Sequence, residues 1–485
     1  MSRKKFYITT SIMYTNSLPH IGFAFESIQA DVLARYHRLL GDDVFFLTGT
    51  DEHGTKVAKA AEEAGKNPKE FVDEISKKVM ELKEILNLSN DDFIRTTDQK
   101  RHWSAVKKVW LKLKEAGDIY KKKYRGFYCS GCESFITKKD LVDGKCAIHQ
   151  IEPEAIEEEN YFFKLSKYSK DIEQAIEKDE IKIIPETRKN EILSFINQGL
   201  EDISFSRPGQ TLQWGIPVPD DETQTLYVWA DALTNYISTI GYFEESEKFK
   251  KLWPADVHCI GKDILRFHAA IWPGMLLSLK LPLPKTIFVH GFITVGGQKM
   301  SKSSGNIIDP FELVKKYGTD AVRYFLLREI PSTEDGDFTY EKFEKRYNSD
   351  LAKGLGNLVA RVLTMAEKVN YESEIVNQQF KKAIEKTWEN WKGALDNFKL
   401  NEALISIWDL ISFCDKQIEK EKPWELLKLK TKNKKLKTII DNLLFALVEI
   451  SKLLQPFLPE TSEKILKQIQ NKKTEILFPK IQNVN

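Results

Sequence analysis

The stretch FYITTSIMYTNSLPHIGFAFESIQADVLARYHRLLGDDVFFLT (residues 6–48) contains the pattern that decides the fold. Residues 6–10 read as a short buried strand, and apolar residues then recur at a spacing that predicts an amphipathic helix over 22–40, ended by Gly41. These apolar residues are Phe25, Ile28, Val32, Tyr36 and Leu39. Residues 44–48 read as a second apolar strand. A strand, a helix and a strand at this interval predict a βαβ unit and therefore a parallel sheet.

The parallel pattern is interrupted and then resumes further along the chain. Residues 257–260 (VHCI) and 286–290 (TIFVH) read as further buried strands, separated by a helix-like stretch over 264–279. The intervening part of the chain contains cysteines, is acidic at 157–160 and is richer in aromatic residues. We therefore expect an α/β fold with a Rossmann-type parallel sheet split by an inserted domain.

The pattern changes again in the last third of the chain. Long amphipathic segments such as TIIDNLLFALVEISKLL (438–454) predict a C-terminal helix bundle. The chain is therefore expected to divide into the first half of the α/β domain (1–115), an inserted connective domain (116–225), the second half of the α/β domain (226–290), a loop-bearing region (291–345) and the helix bundle (346–485).

The composition is that of a globular protein with several domains. A chain of 485 residues with 42% apolar and 30% charged residues is too long for a single core. No run of about 18 apolar residues occurs, so no membrane span is expected. The opening MSRKKFYITT leaves no room for a targeting peptide before the first strand. Five cysteines in a chain of this size favour a reducing cytoplasm.

The charge is unevenly distributed along the chain. Residues 346–485 carry 24 Lys and Arg against 18 Asp and Glu, whereas the remainder carries 49 against 53. A modest basic excess in the predicted bundle suits a polyanionic partner, although such an excess is also common on solvated surfaces.

Four potential metal ligands occur as two pairs with the same spacing. Cys129 and Cys132 form the first pair, and Cys146 and His149 repeat the spacing after thirteen residues. Three cysteines and one histidine are what a tetrahedral zinc ion requires, and they leave no ligand position for a substrate. The sequence therefore predicts one structural zinc ion, whose binding contributes to folding of the insertion.

Three polar segments follow predicted strands: SLPHIGFAFE (17–26), TGTDEHG (48–54) and GFITVGGQKMSKSSGNIID (291–309). Ligands of open α/β sheets bind at the carboxyl ends of the strands. His20 could therefore donate to a phosphate, or be an ordinary turn histidine. Asp51 could hold an ammonium group, or cap a helix. The last segment could clamp a polyphosphate with its lysines and glycines, or be a solvated loop.

Aromatic residues cluster in two further segments. LYVWADALTNYI (226–237) places aromatic side chains around Asp231, for which core packing is the simple explanation. IGKDILRFHAAIWPG (260–274) carries aromatic residues and His268 on one helical face, which is unusual for a plain core helix. In the predicted bundle, Trp424 could stack on a nucleobase or pack in the interior.

Taken together, these motifs resemble the class I aminoacyl-tRNA synthetases, whose two signature motifs match PHIG (19–22) and KMSKS (299–303). The segments TGTDEHG, YVWADAL, HCIGKDILRFHAAIWPG, GQKMSKSSGN and LGN (355–357) resemble the methionyl-tRNA synthetase family, in order and over nearly the whole chain. The insertion of the CxxC…CxxH type is part of this resemblance. It implies a ligase that forms methionyl-adenylate from L-methionine and ATP with Mg²⁺, and then methionylates tRNA(Met) for translation initiation and elongation.

The resemblance also implies roles for individual residues. His20, Lys299 and Lys302 are implied as catalytic, and further ATP contacts are implied for Gly22, Gly261, Asp263 and Ser301. The methionine pocket is implied at Ile12, Tyr14, Asp51, Trp229, Leu233, Tyr236 and His268, with Asp51 holding the α-ammonium group. Arg207 is implied to link the active site to the insertion. Anticodon binding is implied for Asn357, Arg361 and Trp424, so 346–485 is implied to be an anticodon-binding bundle. The region 291–345 is implied to carry the KMSKS loop and to contact the tRNA stem.

The sequence departs from the family pattern at several positions. Phe23 stands where the first signature often has histidine, so only His20 of that pair can act on phosphate. Asp415 and Gln417 stand where an asparagine and a tyrosine are usual, which puts packing near the anticodon in doubt, and Met13 replaces a frequent proline or tyrosine. The chain ends soon after the bundle, without the extra domain that makes some family members dimers, so a monomer is expected.

Three competing functions are weaker on the same sequence. A synthetase for another apolar amino acid would need a longer editing insertion than this chain has room for. A non-catalytic tRNA-binding descendant would be expected to lose the groups that handle phosphate, yet His20, Asp51, Lys299 and Lys302 are all present. A small nucleotidyltransferase would explain neither the paired metal ligands nor the bundle.

Overall fold

The computed structural model describes residues 3–131, 134–136, 141–147, 150–300, 305–369, 377–428 and 434–482. The chain divides into two compact units. The first unit comprises residues 1–30, 37–83 and 89–290, and the second comprises 31–36, 84–88 and 291–485.

A parallel sheet forms the centre of the first unit. Within the described residues it has seven strands, and every pairing among them is parallel. In spatial order the strands are Lys182–Ile184, Thr286–His290, Val257–Gly261, Lys5–Thr10, Asp43–Asp51 and Met13–Tyr14, with Asp92–Arg95 also paired to Asp43–Asp51. The predicted parallel α/β fold is therefore confirmed, including the return of the chain to the sheet after a long interruption.

The elements of the first βαβ unit follow from the sequence pattern. The strand predicted at 6–10 is Lys5–Thr10, and the helix predicted at 22–40 is Ile21–Leu39. Phe25, Ile28 and Val32 are fully buried, because their spacing places them on one helix face towards the core. Leu39 is 42% exposed, so the apolar face ends before the helix does.

The interrupting segment carries small antiparallel sheets. One contains Ile203–Ser204, Glu154–Phe163, Ile119–Cys129 and Ser134–Ile136, a second contains Ser206–Pro208, Asp221–Leu226 and Pro217–Val218, and Leu141–Val142 pairs with Lys145–Cys146. The segment also supplies Lys182–Ile184 to the parallel sheet, beside Thr286–His290. Sequence reading did not predict this strand, because three residues are too few to show a period.

Helices surround the sheet in the first part of the chain. They are Ile21–Leu39, Thr55–Glu63, Pro68–Ile85, Ser104–Glu115, Ser169–Glu177, Glu186–Asn197, Val228–Leu233, Asn235–Ser238, Glu247–Leu252 and Trp272–Ser278. The stretch predicted as one helix over 264–279 is broken into a short turn, a π-helical segment Phe267–Ile271 and the helix Trp272–Ser278.

From residue 291 onward, the second unit forms a small sheet that is followed in the chain by helices. The strand Ile293–Val295 pairs with Gln298–Lys299 and with Gly336–Phe338. The helices are Pro310–Tyr317, Thr319–Glu329, Tyr340–Arg346, Asn357–Ala366, Gln378–Asp396, Leu400–Glu421, Pro423–Lys428, Lys434–Leu454 and Pro459–Asn471, with a π-helical segment Tyr347–Gly356. Among the residues described after Phe338, all regular elements are helical, which confirms the predicted bundle.

Arg323 is a buried cation in the interior of the second unit. It is fully inaccessible, and its Nη2 donates to Oδ2 of Asp31 at 2.8 Å and to the carbonyl of Pro456 at 3.0 Å. Its Nε and Nη1 donate to the carbonyls of Phe457 and Leu86 at 2.7 and 2.9 Å. Asp31 is also fully buried, and its Oδ2 accepts from Arg35 Nε at 2.8 Å as well, so two arginines compensate this buried carboxylate.

Replacing Arg323 by Leu should therefore destabilise the second unit strongly. The buried Asp31 carboxylate would keep only Arg35 as a charged partner, and the carbonyls that accept from Arg323 would lose their donor. We expect a loss of about 3–5 kcal/mol in the free energy of unfolding, measured by urea denaturation. The matched control is Lys381→Ala, which breaks the exposed Lys381–Glu385 pair and should change this free energy by less than about 0.5 kcal/mol. An equal change in the free energy of unfolding for the two substitutions would contradict the stabilising role of Arg323.

Candidate active site

His20 lies at the amino-terminal end of the helix Ile21–Leu39. The N–H of Gly22 donates to Nδ1 of His20 at 3.0 Å, and burial lowers the pKa of this imidazole. A neutral imidazole whose Nδ1 accepts a hydrogen bond carries its proton on Nε2. His20 can therefore donate from Nε2 to an anion, next to a helix end that itself favours negative charge.

Tyr14 and Asp51 lie on neighbouring strands. Met13–Tyr14 pairs in parallel with the end of Asp43–Asp51, with Tyr14 opposite Asp51 in the register. The Asp51 carbonyl also accepts from the N–H and hydroxyl of Thr15 at 2.9 and 3.0 Å. Asp51 is buried, whereas Ile12 and Tyr14 are partly buried and pack against the main core. These bonds hold a carboxylate and an aromatic side chain next to each other at the sheet edge.

The other residues predicted for the methionine pocket, Trp229, Leu233, Tyr236 and His268, contact one another or the same hydrophobic core. The Trp229 ring stacks on Phe267 with ring centroids 3.7 Å apart and lies edge-on to His268 at 6.5 Å. Leu233 is fully buried within the core cluster, and Trp229 packs against that cluster. Sequence reading placed Phe267 only on an aromatic face, and its stacking on Trp229 was not predicted.

Tyr236 and His268 form a hydrogen-bonded pair with defined directions. Nδ1 of His268 is 3.0 Å from the carbonyl of Ile264, which can only accept, so Nδ1 carries the proton. Burial lowers the pKa of His268 to about 4, so the ring is neutral and Nε2 accepts from the Tyr236 hydroxyl at 2.7 Å. The Tyr236 carbonyl in turn accepts from the Tyr7 hydroxyl at 2.7 Å. The hydrogen-bonded pair is thus uncharged and polarisable, and both side chains are buried.

Asp231 forms a polar cluster, whereas only core packing of the aromatic residues around it was expected from the sequence. Its Oδ2 is 2.7 Å from Nδ1 of His53, and its Oδ1 is 2.7 Å from Nε2 of His102. All three side chains are at most 2% exposed. His53 was visible in the TGTDEHG motif, but His102 lies in a π-helical segment, Gln99–Trp103, that carries no recognisable motif.

Gly261 and Asp263 follow the strand Val257–Gly261. A side chain at Gly261 would come within 2.9 Å of the Asp263 carboxylate and 3.8 Å of the His290 ring. His290 is itself bonded through Nε2 to Oε2 of Glu26 at 2.8 Å, and Glu26 also accepts from Ser11. Glycine at 261 therefore keeps this strand end open beside the helix that follows His20.

Lys299 belongs to the second unit, in the short hairpin formed by Ile293–Val295 and Gln298–Lys299. Gly296 and Gly297 form its turn with φ of 59° and 77°, which favours glycine at both positions. The Lys299 side chain is exposed, with Nζ 5.4 Å from the centre of the Phe292 ring. Ser301 and Lys302 lie outside the described residues.

Arg207 links two sheets of the interrupting segment. The strand Ser206–Pro208 carries it, and its Nη2 and Nε donate to the Glu158 carboxylate at 2.6 and 3.2 Å. Its guanidinium also lies 4.0 Å from the centre of the Tyr128 ring. Arg207 is buried, so these contacts fix the strand against the sheet that carries Cys129.

Cys129 and Cys146 share one small buried cluster with Ile136. Two thiols at one site fit the soft donor set that zinc prefers. Cys132 and His149 lie outside the described residues. Among the residues that are described, no group of three or more potential metal ligands occurs. The structure thus brings two of the predicted ligands together.

Arg361 and Trp424 lie together in the helical unit. The Arg361 guanidinium is 5.9 Å from the centre of the Trp424 ring, and its two terminal nitrogens contact Asp415 at 3.4 Å and Glu419 at 2.6 Å. Asn357 is exposed one helical turn before Arg361 in Asn357–Ala366. The departure at position 415 is therefore accommodated by an ion pair with Arg361.

No helix among the described residues has both the length and the apolar character needed to cross a membrane.

Two family models match the chain. The model described as "tRNA synthetases class I (M)" matches residues 6–146 and 136–363, and the model described as "Anticodon-binding domain of tRNA ligase" matches residues 377–483. A parallel α/β sheet with these signatures, followed by a helical anticodon-binding domain, is the architecture of a class I aminoacyl-tRNA synthetase.

Individual relatives narrow the class. The methionine–tRNA ligase of Caldanaerobacter subterraneus is 45% identical over 99% of this chain and 79% of its own, and that of Thermotoga maritima is 45% identical over 96% and 75%. The solved structure of Mycobacterium tuberculosis methionyl-tRNA synthetase with methionyl-adenylate aligns with a TM-score of 0.90 and 38% identity over 99% of both chains. The chain belongs to the methionine–tRNA ligase family.

The neutral state of His268 predicts how stability depends on pH. Its folded-state pKa of about 4 lies below the ordinary 6.5, so the unfolded state binds more protons between these values and stability is lost as pH falls from 6.5 towards 4. We expect His268 alone to contribute a loss of roughly 2 kcal/mol between pH 7.5 and 5.

The measurement is urea unfolding of wild type and His268→Gln at both pH values. The substituted glutamine can still accept from Tyr236 but cannot titrate, so the loss in this variant should be smaller by that amount. His258, whose pKa is lowered by burial and in smaller part by His268, is present in both proteins, so the part caused by burial cancels. An identical loss in both proteins would show that folding does not lower the pKa of His268.

Proposed function

We propose that this chain activates L-methionine with ATP and transfers the methionyl group to the 3′-terminal adenosine of tRNA(Met), for translation initiation and elongation. It is a ligase that forms a carbon–oxygen bond. The observation that carries the proposal is the juxtaposition of Tyr14 and Asp51 at the edge of a sheet whose core also holds Trp229 and the neutral Tyr236–His268 pair. Such a site offers one charge for an amino acid and an apolar space for its side chain.

In the first step, a carboxylate oxygen of methionine attacks the α-phosphorus of ATP. The new bond is between that oxygen and phosphorus, and the bond to the bridging oxygen breaks as pyrophosphate leaves. Mg²⁺ bound with ATP neutralises phosphate charge when present. His20 donates from Nε2 to a phosphate oxygen, and Lys299 and Lys302 bring positive charge to the departing pyrophosphate. Gly22, Gly261, Asp263 and Ser301 are proposed to complete the ATP contacts, since small or polar groups allow the nucleotide to approach the backbone.

Methionine is held by its charged end and by its thioether. Asp51 accepts from the α-ammonium group, and its burial strengthens that interaction because the local dielectric is low. Ile12, Tyr14, Trp229 and Leu233 are proposed to enclose the side chain. The thioether is only a weak acceptor, so aromatic rings and the polarisable Tyr236–His268 pair suit it better than a charged group would.

In the second step, a ribose hydroxyl of the terminal adenosine attacks the carbonyl carbon of the adenylate, and AMP leaves. The 2′-hydroxyl is the nucleophile that the class implies. An apolar pocket separates similar amino acids by only about 1–3 kcal/mol per methylene. This pocket recognises the amino acid alone, so the identity of the tRNA must be read elsewhere. We propose that Asn357, Arg361 and Trp424 read the CAU anticodon, with the Trp424 ring as a stacking surface beside the Arg361 cation.

The insertion is proposed to hold one structural zinc ion. Cys129 and Cys146, buried in one cluster, and Cys132 and His149, which complete the spacing, would be its ligands. A zinc ion so held supplies cross-links to a segment with little apolar core of its own. Arg207 is proposed to link the insertion to the active-site region, and its contacts with Glu158 and Tyr128 hold it in place within the insertion. A cytoplasmic location and a monomeric state remain expectations, which fractionation and light scattering would measure.

Methionine-dependent exchange between ATP and pyrophosphate tests the proposed activity. We expect exchange with methionine and none of comparable rate with leucine or isoleucine. Lys302→Ala should lower the exchange rate on the order of 100-fold, while the KM for methionine changes by less than about twofold, because the lysine acts on the leaving group. Lys315→Ala, an exposed lysine on Pro310–Tyr317, is the control and should behave as wild type. Faster exchange with leucine would overturn the proposal.

Trp424→Ala should weaken tRNA binding without affecting adenylate formation. Loss of one base–aromatic stack is worth about 1–3 kcal/mol, so the KM for tRNA(Met) in aminoacylation should rise roughly 10–100-fold. Trp388→Ala, a partly buried tryptophan of the same unit bonded to Glu449, is the matched control. A rise of equal size in both variants would indicate a general effect on the bundle.

Metal analysis tests the zinc site separately from activity. Inductively coupled plasma mass spectrometry should find about one zinc ion per chain, as four ligands in two spaced pairs imply. Cys129→Ser should lose the metal, whereas Cys414→Ser, a buried cysteine in Leu400–Glu421, should retain it. A folded and metal-free wild-type protein would contradict the assignment.

A further inference from the structure

The buried cluster of His53, Asp231 and His102 joins three separate parts of the first unit. His53 follows the strand Asp43–Asp51, Asp231 lies in the helix Val228–Leu233, and His102 lies in the π-helical segment Gln99–Trp103. Both hydrogen bonds to the carboxylate measure 2.7 Å. His102 is held from its other side, since its Nδ1 is 2.9 Å from the Ser238 hydroxyl.

Stability alone is a weak explanation for this cluster. Moving a carboxylate out of water is costly, and apolar residues of similar volume are often at least as stabilising in its place. Burial acts to raise the pKa of Asp231, but electrostatic interactions and hydrogen bonds with His53 and His102 hold that pKa below its ordinary value. The carboxylate is therefore ionised and depends on both histidines.

The surroundings of His53 strengthen its fixed orientation. Its ring packs against Trp214 and Trp103, with centroids 5.5 and 5.8 Å away. Within the described residues, the buried Nε2 of His53 has no hydrogen-bond partner. Burial without a partner costs more free energy for an N–H donor than for an unprotonated nitrogen. His53 thus carries its proton on Nδ1 and donates it to Asp231.

The positions next to the cluster are those assigned to methionine. Asp51 lies two residues before His53, and Trp229 and Leu233 lie two residues to either side of Asp231. The His53–Asp231 hydrogen bond therefore directly connects two elements of the proposed methionine site. One is the strand end proposed to hold the ammonium group, and the other is the helix proposed to line the side-chain pocket. Methionine is proposed to be held at both ends, so its binding is sensitive to this distance, because the two ends must be in the right geometry to act together.

We propose that His53, Asp231 and His102 form a positioning bridge that sets the spacing between Asp51 and the wall formed by Trp229 and Leu233, and thereby the affinity for methionine. The inference rests on the proposed function. None of the three residues contacts the reacting atoms in this account. Their effect is on the KM for methionine rather than on the chemistry at phosphorus.

The test compares variants that remove the link with variants that keep its hydrogen-bond donor. The amide nitrogen of asparagine superimposes on Nδ1 of histidine, and that of glutamine on Nε2, so His53→Asn and His102→Gln can still donate to Asp231. His53→Ala cannot. His37→Ala is the control, because His37 also bonds a carboxylate through Nδ1, that of Asp42 at 2.7 Å, at the far end of its helix.

The readouts are the KM for methionine, the KM for ATP and the maximal rate of ATP–pyrophosphate exchange. His53→Ala should raise the KM for methionine roughly 10–100-fold and change the other two values by less than about threefold. His53→Asn should keep the KM for methionine well below that of His53→Ala, His102→Gln should also stay close to wild type, and His37→Ala should match wild type.

Three results would overturn the bridge. They are an unchanged KM for methionine in His53→Ala, an equal rise for methionine and ATP, or a KM for methionine in both His53→Asn and His102→Gln as high as in His53→Ala although these variants fold as wild type by circular dichroism. Exchange by the wild type in these experiments would leave the proposed function intact. Failure of the wild type to exchange with methionine would remove the proposed function and the bridge together.

Discussion

Parallel pairing of the strand Lys5–Thr10 with its two neighbours is the constraint on which the rest of the first unit depends. Thr9 is in register with Leu47 on one side and with His258 on the other. Three strands that run the same way end at the same edge, so the segments that follow them meet there. That edge is where Tyr14, Asp51 and Gly261 emerge.

Burial then decides the chemistry of the groups at that edge. His20 and His268 both have a pKa lowered by burial, so each is a neutral ring with a defined tautomer. In His20 the bond from Gly22 leaves the proton on Nε2, whereas in His268 the Ile264 carbonyl keeps it on Nδ1. One histidine can thus donate to an anion and the other accepts from Tyr236. The same residue type thus presents a donor in one place and an acceptor in the other because of its backbone neighbours.

The sequence predicted the elements whose period is long enough to read. The helix Ile21–Leu39 and the strands Val257–Gly261 and Thr286–His290 are confirmed within one or two residues, since burial on one or both faces leaves a regular apolar pattern. The strand Lys182–Ile184 was missed because its three residues carry no period, and its place in the sheet is set by pairing with Thr286–His290. The π-helical segment Phe267–Ile271 was read as ordinary helix, since one extra residue per turn leaves apolar residues on the same face.

The site shows the same division between local and long-range information. His20, Asp51 and His268 could be predicted from sequence motifs, because each lies beside a strand end or on a helix face that also carries aromatic residues. The role of Asp231 could not be read, since its partners His53 and His102 are 178 and 129 residues away in sequence. Likewise, the doubt attached to Asp415 came from comparing single positions, and the ion pair with Arg361 depends on two helices that meet only in the folded unit.

The central claim is that this chain charges tRNA(Met) with methionine by recognising its anticodon. Aminoacylation of two tRNA(Met) transcripts with labelled methionine, one with CAU and one with CAU replaced by UAC, tests it most directly. A good base contact is worth about 1–3 kcal/mol, so kcat/KM for the replaced anticodon should fall by at least roughly tenfold and by more if several bases are read. Equal charging of the two transcripts, or no methionine attached to either, would contradict the claim.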